Sequence, residues 1–160
     1  MPLDQNWFTE IHADIGSAFS VQVREKVFSE QSPYQLVEVY DSVGFGKFMV
    51  IDGCTMVSTL ENFVYHEMLS HPVLFTHPAP QRVAIIGGGD CGTLREVLRH
   101  PGVARCTQID IDEVVTRAAL QHFPELCESN DDPRAELLFS DGIQWMKDAP
   151  AGSLDVIIVD

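Results

Sequence analysis

The run Val83-Ala84-Ile85-Ile86-Gly87-Gly88-Gly89-Asp90-Cys91-Gly92-Thr93-Leu94-Arg95-Glu96 constrains the fold more than any other part of the chain. A short apolar strand enters a glycine-rich turn and leaves it as a helix. Gly87, Gly89 and Gly92 have the G-x-G-x-x-G spacing of a nucleotide-binding β–α unit. Glycine permits both the tight turn and the close approach of a ligand to the backbone. Asp90 is unusual in such a loop, because a carboxylate repels a pyrophosphate and attracts a cation. The loop therefore points away from dinucleotides and toward a positively charged nucleoside.

The residues after this loop alternate between strand and helix patterns. Strands are expected at Val83–Ile86, Cys106–Ile111, Glu136–Phe139 and Asp155–Val159. Helices are expected from Thr93 to about His100, from Glu113 behind an Asp112 cap, and over Ile143–Met146. This order predicts an α/β fold with a Rossmann-like, doubly wound parallel sheet. Before about Thr76 the texture differs. Short alternating runs at Phe19–Val23, Gln35–Tyr40 and Lys47–Ile51 are separated by turn residues, which predicts a small antiparallel β-hairpin domain. Ser58-Thr59-Leu60-Glu61 resembles a capping box opening a helix to about Ser70, which Pro72 ends or kinks. His77-Pro78-Ala79-Pro80 is expected to separate a module at 1–76 from a nucleoside-binding one at 77–160. The chain stops at the end of its fourth parallel strand, and is expected to be a truncated part of a longer protein.

Carboxylates recur at the ends of the expected strands: Asp90, Asp110 with Asp112, Asp141 and Asp160. In a parallel sheet these ends converge on one crevice. Any one of them alone is explained as a helix cap or turn former. Asp110 lies roughly 20 residues beyond the glycine loop, where an acid accepts from a ribose hydroxyl. Asp141-Gly142 suits either an adenine amino group or a helix cap. Tyr65-His66-Glu67 reads from pattern alone as the solvated face of a helix.

With 24 acidic against 10 basic residues among 160, the net charge of −14 argues against nucleic acid or an anionic membrane as partner. Cationic substrates suit it, as does simple solubility. The four cysteines, Cys54, Cys91, Cys106 and Cys127, show no zinc spacing, and a reducing cytoplasm is the default. No leader is visible at the start, and no window approaches the ~18 apolar residues of a membrane span.

Gly87-Gly88-Gly89-Asp90-Cys91-Gly92-Thr93-Leu94-Arg95-Glu96-Val97 resembles the G-G-G-D-G-G/A-x-x-R-E-V motif of the spermidine synthases, the polyamine aminopropyltransferases. Further similarities run through the chain: Trp7-Phe8-Thr9-Glu10, Ser32-Pro33-Tyr34-Gln35, Phe45-Gly46-Lys47 before Asp52-Gly53, Tyr65-His66-Glu67-Met68, Asp132-Pro133-Arg134, and the strand ending at Asp160. The resemblance implies transfer of an aminopropyl group from decarboxylated S-adenosylmethionine to putrescine, giving spermidine and methylthioadenosine. It implies no metal and no cofactor beyond that co-substrate, small-molecule diamine and nucleoside partners, and a homodimer or homotetramer. By position, Gln35, Asp110, Asp141 and Gly142 would hold the nucleoside on the loop of Gly87 and Gly89. His66 and Asp90 would face the aminopropyl and polyamine chain. Tyr65 would stand by the reacting amine, and Asp160 would accept its proton. This sequence departs from the pattern at Cys91 (usually Gly), Met56 (often Gln) and Asp110 (usually Glu). Two other readings stay open: an S-adenosylmethionine-dependent methyltransferase, and a non-catalytic nucleoside-binding or oligomerisation module.

Overall fold

The computed structural model describes residues 3–160 and divides into two compact units, Met1–Asn62 and Phe63–Asp160. The first unit is a five-stranded antiparallel meander. Its strands, β1 (Trp7–His12), β2 (Ser17–Gln31), β3 (Leu36–Ser42), β4 (Lys47–Ile51) and β5 (Cys54–Ser58), lie side by side in chain order. The alternation noted in the sequence becomes an inner face where Val21, Phe48 and Val50 pack with Phe8, Val23, Tyr40 and Phe45. Tyr40 stacks on Phe48 with ring centroids 5.3 Å apart. The expected run Phe19–Val23 is only part of β2. That strand pairs with β1 through its first half and with β3 through its second, and two register shifts near Arg24 and Val27 break its alternation.

The second unit begins with helix α1 (Asn62–Thr76). Ser58 Oγ accepts from Glu61 N at 3.1 Å, as a capping box requires, but the helix starts a turn later. It also does not end before Pro72. It runs through that residue to Thr76, whose hydroxyl donates to Pro72 O at 2.7 Å, and Leu69 and Leu74 pack into the core of the unit. Burial of that face outweighs the hydrogen bond that proline removes. The same contacts put α1 with the second unit, so the compact division falls at Asn62 and not at the Pro-rich connector.

Beyond α1, β6 (Arg82–Ile86), α2 (Gly92–Leu98), β7 (Arg105–Asp110), α3 (Glu113–His122), β8 (Ala135–Phe139), α4 (Gly142–Asp148) and β9 (Val156–Val159) alternate as expected. The strands form a parallel sheet in the order β8-β7-β6-β9. A dry layer of Val83, Ile85, Leu94, Val97, Leu98, Val103, Cys106, Val156 and Ile158 joins one face of the sheet to α2 and α1.

The Asp-Pro-Arg motif closes the far end of this layer. Arg134 donates to the carbonyls of Leu98 (2.6 Å), His100 (3.3 Å) and Val103 (3.3 Å) while pairing with Asp132 at 2.8 Å. The guanidinium holds the Asp132 carboxyl down at about 2. Arg134→Met is expected to lower stability by about 1–3 kcal/mol, the cost of carbonyls left without donors. Denaturant unfolding reads this as a lower midpoint at unchanged slope. Because the folded pKa of Asp132 is depressed, its contribution is complete above the unfolded value near 3.8. It disappears as pH falls through about 2, so the difference between wild type and variant should shrink in acid.

Candidate active site

The glycine turn is where three strands meet. Gly87 and Gly88 are left-handed, with φ of 89° and 73°. Gly87 N donates to Ile109 O at 2.8 Å, and Asp160 N donates to Ile86 O at 2.9 Å. A Cβ on Gly87 would lie 2.5 Å from the Asp160 carbonyl, and one on Gly88 2.9 Å from the Asp160 carboxylate. Gly89 is barred from a side chain by Asp110 Oδ2 at 2.8 Å and by Val115. At Gly92 a Cβ would overlap the His66 ring. Each glycine of the motif thus adjoins a residue that sequence reasoning had singled out or a strand end that carries one.

Five side chains converge around this turn. Asp160, following β9, accepts from Tyr65 Oη at 2.8 Å on one carboxylate oxygen and from Thr93 Oγ1 at 2.5 Å on the other. Asp90 Oδ1 accepts from Gly92 N at 2.8 Å, and its Oδ2 lies 3.1 Å from His66 Nε2. The His66 side chain is fully buried, and its Nδ1 has no hydrogen-bond partner. Burial raises the Asp160 pKa; Thr93 opposes the shift and the charge of Asp90 adds to it. Tyr65 is also pushed up, by burial and then by its bond to Asp160, so the phenol keeps its proton and donates. The result is a shielded carboxylate with raised proton affinity beside a second carboxylate.

Asp110 ends β7 and accepts from the backbone N–H groups of Asp112 and Gly89. Burial raises its pKa nonetheless. Asp112 and Asp141 are used locally. The first caps α3 through Val114 N (3.0 Å), and the second caps α4 through Ile143 N (2.8 Å) and Gln144 N (3.1 Å). Gly142 begins α4 against Ile86, where a Cβ would fall 2.8 Å from the Ile86 Cγ2 methyl. Gln35 belongs to the first unit, in a turn where Ser32 Oγ accepts from Gln35 N at 3.0 Å.

Sequence reasoning missed Thr93 and Thr116. Thr116 Oγ1 donates to Gly89 O at 2.7 Å and braces the loop from α3. Thr93 was visible only as the residue following the last glycine, where a first-turn helix position points its side chain toward the neighbouring strand end. Among the described residues, one group has the composition of a cation site: Glu67, His71 and Glu96, with ligand atoms within 4.8 Å of each other. Glu96 is fully buried, and its two oxygens are engaged by Arg95 and Arg99, each at 2.8 Å. His71 meanwhile meets His100 at 2.9 Å. These partners make it an ion-paired clasp between α1 and α2 rather than a set of free ligands.

A parallel sheet, a glycine loop opening a helix and an acid at the end of the second strand define a Rossmann-like α/β domain. The family model for the spermine/spermidine synthase domain matches residues 62–160, and that for the spermidine synthase tetramerisation domain matches residues 6–67. The chain belongs to the spermine/spermidine synthase family. It is 66% identical over 156 residues to a polyamine aminopropyltransferase of Methylococcus capsulatus, covering 98% of this chain and 55% of that protein. Over 160 residues it is 62% identical to the polyamine aminopropyltransferase of Thioalkalivibrio sulfidiphilus, covering 100% of this chain and 56% of the relative. The crystal structure of spermidine synthase from Thermotoga maritima superposes with a TM-score of 0.93 at 34% identity, over all of this chain and 55% of that one. A spermidine synthase in complex with the transition-state analogue AdoDATO has the same TM-score and identity, over 56% of its length. The chain thus spans about half the length of the relatives it matches.

Two glycines give contrasting expectations. Gly92→Ala drives its methyl into a buried ring that cannot retreat, and should cost about 1–3 kcal/mol. Gly142→Ala meets one methyl, Cγ2 of the half-buried Ile86, which can turn aside, and should cost less. Denaturant midpoints of the two variants test the order.

Proposed function

We propose that the protein is a spermidine synthase, moving the aminopropyl group of decarboxylated S-adenosylmethionine onto putrescine. The observation that carries this reading is the Tyr65–Asp160–Thr93 cluster standing beside a glycine loop with its own carboxylate. The amine nitrogen attacks the carbon bonded to the sulfonium. The C–N bond forms, the C–S bond breaks, and methylthioadenosine leaves with the electron pair. The positive sulfur already activates the leaving group, so the step calls on no metal or further cofactor. The obstacle is the nucleophile: an alkylammonium of pKa ~10 is neutral in only about one molecule in a thousand at pH 7. That deficit is worth roughly 4–5 kcal/mol.

Asp160 is the group to take the proton. Burial gives it a higher proton affinity than an exposed aspartate, and Tyr65 orients it. Asp90 and His66 would hold the ammonium end of the chain. Asp110, Asp141, Gly142 and Gln35 would hold the nucleoside over Gly87 and Gly89. On this reading α1 serves the nucleoside-binding module, and the β meander supplies oligomer contacts, a homodimer or homotetramer. The match of residues 6–67 to a tetramerisation domain supports the latter. The wide spacing of its four cysteines and the absence of a zinc pattern fit a cytoplasmic enzyme. Among the described residues no helix is long and apolar enough to cross a membrane.

In the full-length enzyme, Asp160→Asn should lower kcat by about 10²-fold or more, the usual contribution of a general base. Calorimetry should find methylthioadenosine affinity retained. An Asp160 variant with near-normal kcat at pH 7 overturns the assignment. The base works ionised and its pKa lies above 3.8, so wild-type activity should fall on the acid side at a pH above that of an ordinary aspartate.

Asp90 bears on the choice of nucleoside. A substrate carboxylate in this loop would meet like charge, whereas a terminal ammonium would meet its opposite. Like charges ~4 Å apart repel by about 4 kcal/mol at an effective dielectric of 20, roughly a thousandfold in affinity. Titrating S-adenosylmethionine and its decarboxylated form against wild type and Asp90→Asn should show the preference collapse in the variant. An unchanged ratio would leave Asp90 as only the turn residue that accepts from Gly92 N.

A further inference from the structure

Thr93 is fully buried in the first turn of α2, and a hydroxyl so placed needs a partner inside the protein. In a helix the ordinary partner is a carbonyl three or four residues back, here Asp90 O or Gly89 O. Both already accept from elsewhere: Thr116 Oγ1 donates to Gly89 O at 2.7 Å, and Cys127 Sγ to Asp90 O at 3.7 Å. The Thr93 hydroxyl instead donates across 67 residues to Asp160 Oδ2 at 2.5 Å. Branching at Cβ keeps the side chain stiff, so this bond has a fixed direction.

The two oxygens of Asp160 stand in different surroundings. Oδ2 lies between the Thr93 hydroxyl and Gly88, where a Cβ on Gly88 would come within 2.9 Å of it. Oδ1 accepts from Tyr65 Oη at 2.8 Å, on the side where Tyr65 is half exposed. Beneath the carboxylate the main chain is fixed by the bond from Asp160 N to Ile86 O at 2.9 Å. One oxygen therefore faces inward and the other faces the opening.

We propose that Thr93 is a positioning residue: by binding Oδ2 it turns Oδ1 of Asp160, the oxygen beside Tyr65, toward the amine as the proton acceptor. The proposal rests on the aminopropyltransferase reading. In that step the N–H bond breaks, its proton bonds to Oδ1, and the nitrogen keeps the electron pair that forms the C–N bond. Thr93 acts through the carboxylate and not on the substrate. A carboxylate free to rotate would lose part of the gain that comes from orientation.

The same bond favours the ionised form that a base needs. Burial raises the proton affinity of Asp160, and Thr93 is the largest opposing influence. Asp90, on the glycine loop, pushes the affinity up, whereas Tyr65 and His66 of α1 bring it down. The charge of Asp160 in turn raises Asp110 at the end of β7. Without the hydroxyl, Oδ2 would stay enclosed beside Gly88 with no donor, and Asp160 would take up a proton at higher pH.

The test compares the full-length wild type with Thr93→Val, which keeps the shape and removes the donor, and with Thr93→Ser, which keeps the donor. With putrescine and decarboxylated S-adenosylmethionine, Thr93→Val should lower kcat about tenfold and leave both KM values in place. The acid limb of its kcat profile should move up by about one pH unit. Thr93→Ser should return both toward wild type. Carbon-13 NMR of aspartate-labelled protein reads the same shift without turnover, with the Asp160 carboxyl assigned by its loss in Asp160→Asn. Its midpoint should rise by about one unit in Thr93→Val and stay near wild type in Thr93→Ser. Thr93→Ala carries the same expectation and serves if the valine variant does not fold. A midpoint unmoved in a folded variant without the hydroxyl overturns the proposal. So does a loss of kcat with an unmoved acid limb, the mark of a merely structural threonine. Wild type that shows the titration but makes no spermidine overturns the aminopropyltransferase reading, so the two failures are told apart.

Discussion

The close approach of β6, β7 and β9 at the Gly87–Gly88 turn is the constraint on which the second unit depends. At this turn the backbone of β6 must reverse while Gly87 N reaches Ile109 O and the main chain of Asp160 passes against the α-carbons. A side chain at Gly87 would strike the backbone carbonyl of Asp160, a residue whose N–H is tied to Ile86 O. Removing the side chains brings Asp160 and Asp110 up to the start of α2, within reach of the loop. The site is therefore made by exclusion first and by attraction second.

The electrostatics follow from that crowding. Burial and like charge raise the proton affinity of Asp160, beside Asp90, and of Asp110, beside Asp112 and Asp160, a cost that a chain does not carry for stability alone. Local donors limit it: Thr93 and Tyr65 at Asp160, Gly89 and Asp112 N–H at Asp110. On the far side of α2, Glu96 is buried as deeply but is fully paired by Arg95 and Arg99. The contrast separates a structural acid from Asp110 and Asp160, whose proton affinity the site keeps high.

Where the chain reads itself locally, the elements were legible. Short apolar runs such as Val83–Ile86 and Val156–Val159, bounded by glycine or charged residues, marked the parallel strands. Asp112 was recognisable as the cap of α3 because a cap bonds two residues on. The misreadings share a cause. The long β2 hides its alternation behind two register shifts, and α1 passes Pro72 because Leu74 gains a core on the far side. In both cases a partner distant in sequence decided the outcome over a local signal.

The same division applies to the candidate site. The sequence by itself determined which strands end in acids and where glycine permits a turn, since both depend on residue type and short spacing. Only the tertiary structure decided which acids meet partners far away in the chain. Asp141, which suited either a cap or an adenine contact in the sequence, caps the first turn of α4 through its Oδ1 alone. Asp160 instead meets Tyr65, 95 residues away, and Thr93, 67 away. Hydrogen bonds across such separations exist only after the parallel sheet has closed, because local backbone preference acts over a few residues and carries no information about which strand will lie beside another.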